Sequence, residues 1–197
     1  KQGWGTDCDL SLGMPHEYAS CPPKDLQTTR GEQGYSPLYY DFSYKTLEHL
    51  FTTNRPIEFV IVENEVNTLT FWHGAAEDYL KTRSTVYKAV QDFNTDNQQD
   101  AKVIDNGIAG TVWGDALIGE AYCSGNTIYA LDFANRFYKR RQADPITEDN
   151  LQQKINCQNP TRSYLILKAI FQQDPNLESP AFDYLSYHFY EPWDTQE

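Results

Sequence analysis

Apolar residues recur along this chain with two spacings, and the changes between them mark out helices and strands. Tyr44, Leu47, Leu50 and Phe51 share one face of a predicted helix. Asp41 or Ser43 can cap that helix, and Asn54-Arg55-Pro56 ends it. Phe59–Val62 follows as a short unbroken apolar run rich in β-branched residues, the pattern of a strand buried on both faces. Helical spacing returns from about Ala75 to Phe93, carrying Tyr79, Leu80, Arg83, Tyr87 and Val90. Asn94–Asp100 reads as a polar loop and Lys102–Ile104 as a second short strand. Ile128, Leu131, Ala134 and Phe137 predict a further helix. Residues 144–160 read as irregular or weakly helical, and Tyr164–Phe171 as a helix facing the sheet. A strand end is readable at Leu10–Pro15 within a Gly-, Pro-, Ser- and Tyr-rich first 40 residues.

Strands that alternate with helices predict a parallel α/β sheet, whose chemistry gathers at the carboxyl ends of its strands. The Phe59–Val62 strand turns polar at once, in Glu63-Asn64-Glu65-Val66-Asn67. A carboxyl at the rim of an apolar sheet loses part of its solvation, which disfavours its charged form and suits it to proton donation. The alternative is that Asn64 and Glu65 only begin a loop and cap the next helix. The second strand ends in Asp105-Asn106-Gly107-Ile108-Ala109-Gly110, where small residues permit close approach of backbone or ligand, and Asp105 reads as a turn residue.

The cysteines change the picture of where the protein works. Cys8, Cys21, Cys123 and Cys157 are too widely spaced for a CxxC zinc or redox motif, and an even count fits two disulfides in an exported protein. Local pairing, Cys8 with Cys21 and Cys123 with Cys157, is the expected one of three connectivities. Four free buried thiols are the alternative. An export leader is expected to have been removed or to lie upstream of Lys1. The 28 acidic residues against 16 Lys and Arg, a net charge of −12, argue against a nucleic-acid partner. Lys139-Arg140-Arg141 reads as a solvated helix end. No apolar run approaches the roughly 18 residues that span a bilayer, so no membrane association is expected.

Two blocks together carry a resemblance to a known family. Asn64-Glu65-Val66-Asn67 is followed by Phe71-Trp72-His73-Gly74 and a Tyr-bearing helix, and Phe182-Asp183-Tyr184-Leu185-Ser186-Tyr187-His188-Phe189-Tyr190 comes later in the chain. In this order they resemble the retaining (β/α)8 glycoside hydrolases of clan A, and most closely the β-xylosidase and α-L-iduronidase family. The likeness runs from about Phe42 to Tyr190, with an unmatched stretch between Gly110 and Ser163. Val66 stands where the family has Pro.

The resemblance implies an α/β fold of the (β/α)8 TIM-barrel type, here a single partial barrel over residues 1–197 that covers about strands 3 to 6. A whole barrel needs roughly 250 residues, so the chain would be an internal piece whose nucleophile lies beyond its end; Glu191 is a weak in-chain substitute. Glu65 would be the catalytic acid/base. Asn64, His188, Tyr190, Trp72 and Trp113 would bind the sugar, with His16, Glu17 and Tyr18 at the rim. Trp113, at the start of the unmatched stretch, is either an exposed stacking platform or a buried anchor. Asp183, near the start of its strand, reads as a structural cap. No cofactor or metal is implied. The other readings are a carbohydrate-binding protein on a degenerate glycosidase scaffold, which would hold sugar without cleaving it, and a structural or interaction protein.

Overall fold

Ser36 and Pro37 start the first long element of this computed structural model, which describes residue 8, residues 10–15, residue 17 and residues 19–109, 112–137, 144–160, 162–171 and 181–188. The Ser36 side chain accepts from the Tyr39 N–H, and Pro37 fills the first helical position of α1, Pro37–Thr52. Both choices suit a helix start, since the hydroxyl satisfies an orphan donor and proline has none to lose. The cap therefore lies five residues before Asp41. Strand β1 is Phe59–Val62, as the apolar run predicts. Helix α2, Ala76–Asn97, runs four residues past Phe93 because no Gly or Pro interrupts Asn94–Asn97, and it ends where Gln98 turns left-handed at φ 53°.

Strand β2, Lys102–Ala109, is five residues longer than expected. Asp105-Asn106-Gly107 is turn chemistry by composition, yet it continues the strand. Helices α3 (Val112–Cys123), α4 (Thr127–Phe137), α5 (Glu148–Lys154) and α6 (Arg162–Phe171) follow, and then strand β3, Tyr184–His188. The sheet order is β1-β2-β3, all parallel. Val60 sits opposite Val103 and Val62 opposite Asp105, while Ile104 faces Tyr184 and Ala109 faces His188.

This architecture corrects the barrel expectation. Among the described residues there are three strands in one open sheet and six α-helices, about half of those residues being helical. Leu10–Leu12, read as a strand end, is a single exposed 3-10 turn. The long stretch between β2 and β3 forms helices, and β2 pairs directly with β3. Motifs at strand ends report local strand-to-loop chemistry and carry no information on how many strands flank them.

The main core lies between one face of the sheet and α2. Val62, Val103 and Ile108 meet Val86, Val90 and Phe93 of α2, with Leu47 from α1 and Ile166, Leu167 and Ile170 from α6. Each such side chain contributes about 1.5–3 kcal/mol by leaving water. Helix α1 is tied across α2 by the phenols of Tyr40 and Tyr44, which donate to Asp92 and Asp96 at 2.6 and 2.7 Å. On the other face Phe59, Ile61 and Tyr184 are exposed, and the Phe59 and Tyr184 rings meet edge to face at 6.2 Å. A second small core, Ile118, Ala121, Ala130, Ala134 and Leu151, joins α3, α4 and α5. No helix among the described residues is long and apolar enough to cross a membrane.

Both disulfides form with the local pairing, Cys8–Cys21 and Cys123–Cys157. The second spans 34 residues and ties the end of α3 to the loop after α5. Closing a loop of that length removes about 4 kcal/mol of unfolded-state freedom. Replacing Cys123 and Cys157 together by Ser is expected to lower amide-exchange protection across α3, α4 and α5 while leaving β1 to β3 protected.

Candidate active site at the strand ends

Glu65 leaves β1 through an unusual backbone. Glu63 and Glu65 both have positive φ, 60° and 41°, a conformation that costs a non-glycine residue about 1–2 kcal/mol. The turn is held by the Thr68 N–H and hydroxyl, which donate to the Glu65 carbonyl at 2.8 and 3.1 Å. The result is a carboxyl folded back toward the sheet, its residue only 6% exposed.

The turn is also held from β2. The pairing of β2 with β3 shifts register between Asp105 and Gly107, which makes Asn106 a bulge residue. Bulges re-aim side chains, and here the Asn106 amide oxygen accepts from the Val66 N–H at 3.3 Å. Its amide nitrogen donates to the Tyr79 hydroxyl at 2.8 Å and to Asp105 Oδ1 at 2.9 Å. Tyr79 in turn donates to Asp105 Oδ1. Arg83 completes the group: its Nη1 lies 2.9 Å from Asp105 Oδ2, and its guanidinium also donates to the carbonyls of Ile170 and, at 3.3 Å, Ala169 in α6. Tyr79, Arg83, Asp105 and Asn106 are all fully buried.

Burial pushes the Asp105 carboxyl up, to about 7, against the Asn106 bonds that favour its charged form. The adjacent guanidinium acts in the same direction as those bonds, because arginine stays charged and can be buried only against a counter-charge. Asp105 is thus a buried strand residue and not the turn residue its neighbours suggest. The sequence places Tyr79 and Arg83 on a helix but gives them no role in a site. Their signal is a Tyr and an Arg one turn apart among the apolar positions of α2, where a charge requires a partner.

His188, the last residue of β3, brings Nδ1 to 2.7 Å from Glu65 Oε1. The His188 side chain is 34% exposed and the Glu65 side chain 8%, so the pair lies at a surface opening. Gly107 makes room for it. A Cβ on Gly107 would come within 2.2 Å of His188 Nε2. This is the close approach that the small residues after Ile104 predict, with the ring of a neighbouring strand as the approaching group. Chemically, a mostly buried carboxyl bonded to an imidazole at a solvent-reachable edge can give and take a proton.

The structure brings Glu65 and His188 together across 123 residues. Asn64 is exposed beside Glu65. Trp72 is fully buried: its indole donates to the Ala75 carbonyl at 3.2 Å and its ring packs edge-on to Tyr79. It offers no open face to a sugar, which corrects its place among the sugar-binding residues. Trp113 falls in the first turn of α3, and its side chain lies outside the described residues, as do Tyr190, Glu191, His16, Tyr18 and Lys139-Arg140-Arg141. Glu17 is an exposed turn residue. Asp183 acts structurally: its carboxylate accepts from the Val103 N–H at 2.7 Å and so sets the start of β3.

Glu63, two residues before Glu65, accepts from the Tyr39 hydroxyl at 3.1 Å, and burial holds its carboxyl above the usual range. No group of three or more His, Cys, Asp or Glu that could hold a metal occurs among the described residues.

Gly107→Ala is expected to displace the imidazole, so the NMR side-chain signals of His188 should lose their dependence on Glu65 while the fold survives. Glu65→Gly should leave stability unchanged or raise it by up to about 1 kcal/mol, because glycine adopts φ 41° without strain; denaturant unfolding measures this. The chain matches no family model, and comparison with curated proteins and with solved structures gives no significant match.

Proposed function

We propose that the protein is a glycoside hydrolase that cleaves O-glycosyl bonds with retention and uses Glu65 as its general acid/base. The observation that carries this reading is the Glu65–His188 pair at the shared carboxyl ends of parallel strands, 2.7 Å apart and open to solvent on the histidine side. The resemblance of the Asn64–Asn67 and Phe182–Tyr190 blocks to retaining glycosidases supports it. So does the strained backbone at Glu65, since such strain persists where a side chain is needed in one place.

In this mechanism the protonated Glu65 gives its proton to the departing glycosidic oxygen as a second carboxylate attacks the anomeric carbon from a position about 5–5.5 Å away. The glycosyl–carboxylate ester is then hydrolysed by a water whose proton returns to Glu65. His188, donating from Nδ1 to the Glu65 carboxylate, would orient the carboxyl and steady its charged state between the two steps. Asn64, exposed beside Glu65, would meet the sugar 2-hydroxyl. The reaction draws on no metal or organic cofactor. The substrate is a carbohydrate, and the two disulfides fit work outside the cell.

The test is release of nitrophenol from a panel of aryl glycosides. Glu65→Gln should lower kcat/KM by about 10²–10⁴ on substrates with poor leaving groups. Much less should be lost on a dinitrophenyl leaving group, and azide should restore turnover in Glu65→Ala. A 2-fluoro glycoside that inactivates the enzyme would mark the nucleophile by peptide mapping. Turnover indifferent to Glu65 would sink the assignment. Saturable sugar binding without Glu65-dependent product would identify a binding protein instead.

A further inference from the structure

Away from Glu65, a cavity of about 800 Å³ opens between α3, α5 and α6, with the Cys123–Cys157 disulfide in its wall. Its size is that of a small-molecule site. Ile118 and Leu151 are buried side chains lining it, and Ile146, Ile155 and Leu165 add to its apolar surface.

The polar groups of the lining differ in what they have left to offer. Asn150 is occupied by the cap of α5, where its amide oxygen accepts from the Thr147 N–H at 2.9 Å. Asn156 accepts from the N–H groups of Gln158 and Asn159 at 3.1 Å each. The Tyr164 hydroxyl donates to Glu120, and Asp115 has a partner within the protein. The ammonium groups of Lys154 and Lys168, in the last turns of α5 and α6, have no ion pair or hydrogen bond among the described residues. Two unpaired ammonium groups on one cavity stand out in a chain of net charge −12, where acidic side chains to pair with are plentiful. Among the described lining residues, Asp144 is the one acid without such a partner, and it is exposed.

We propose that this cavity binds an amphipathic carboxylate, an acyl chain lying on the Ile118–Leu151 wall with its carboxylate held by Lys154 and Lys168. The amide oxygens of Asn150 and Asn156 and the Tyr164 hydroxyl proton are already engaged, so the charge that the lining offers a ligand is that of the two ammonium groups. The site is independent of Glu65.

Dodecanoate, below its micelle concentration, titrated into the disulfide-intact chain by calorimetry and methyl NMR tests the proposal. One saturable site is expected, with shifts at the Ile118, Leu151 and Leu165 methyls. Binding should weaken about tenfold or more in Lys154→Gln with Lys168→Gln, the value of a charge-assisted bond. Both lysines are exposed, so the fold is expected to survive. Dodecanol, with the same chain and no charge, should bind the wild-type protein more weakly by a similar factor. The proposal is overturned if binding does not saturate, if dodecanol and dodecanoate bind alike, if the lysine variant binds as the wild type does, or if the shifts appear at Ile61 on the exposed sheet face instead.

Discussion

Arg83 and Asp105 are enclosed on every side, and taking two such charges out of water costs several kcal/mol each before their attraction returns anything. That cost is offset by partners from three neighbouring elements. Helix α2 brings the guanidinium and the Tyr79 hydroxyl, β2 brings the carboxylate and the Asn106 amide, and α6 brings two carbonyls. The pair therefore fixes how α2 and α6 seat against the sheet. Through Asn106 and the Val66 N–H it also fixes the turn from which Glu65 projects. Apolar side chains of similar volume often replace a buried ion pair at little cost, so the ionic version is best understood by what it orients.

The same β2 residues serve both halves of the Glu65–His188 contact. Asn106, pushed out of register, holds the Glu65 turn, and Gly107 beside it leaves the space that the His188 ring fills. The one-residue β-bulge at Asn106, with Gly107 beside it, thus aligns side chains that leave β1 and β3 on either side of it. The excursion of α3 to α5 has its own small core and its own disulfide, and it meets the main core through Ala116 and through the Tyr164–Glu120 bond to α6.

Much of the local structure was legible in the sequence, because it is written in local chemistry. Phe59–Val62 is a strand for the reason its β-branched run suggests, and the cysteines pair locally. Glu65 and His188 could be singled out from the blocks around them. Their mutual contact could not, since it depends on the register of β2 against β3. The continuation of β2 through Asp105-Asn106-Gly107 was hidden by residues that usually make turns. Helix α3 was missed because Val112–Cys123 is apolar nearly all round and shows no stripe. The barrel was a wrong extension: strand-end motifs fix what a strand delivers, and the number of strands is set by pairings those motifs do not encode.

The most direct measurement replaces the buried pair with apolar side chains, Arg83→Met with Asp105→Leu, and reads both stability and the His188 side-chain resonances. If the ion pair exists to place Glu65, the double variant folds with stability close to the original while the signature of the Glu65–His188 bond disappears and glycoside turnover falls with it. A folded double variant that keeps the His188 signature and any turnover of the parent would contradict the account, for the site would then be held by something other than the charges beneath it.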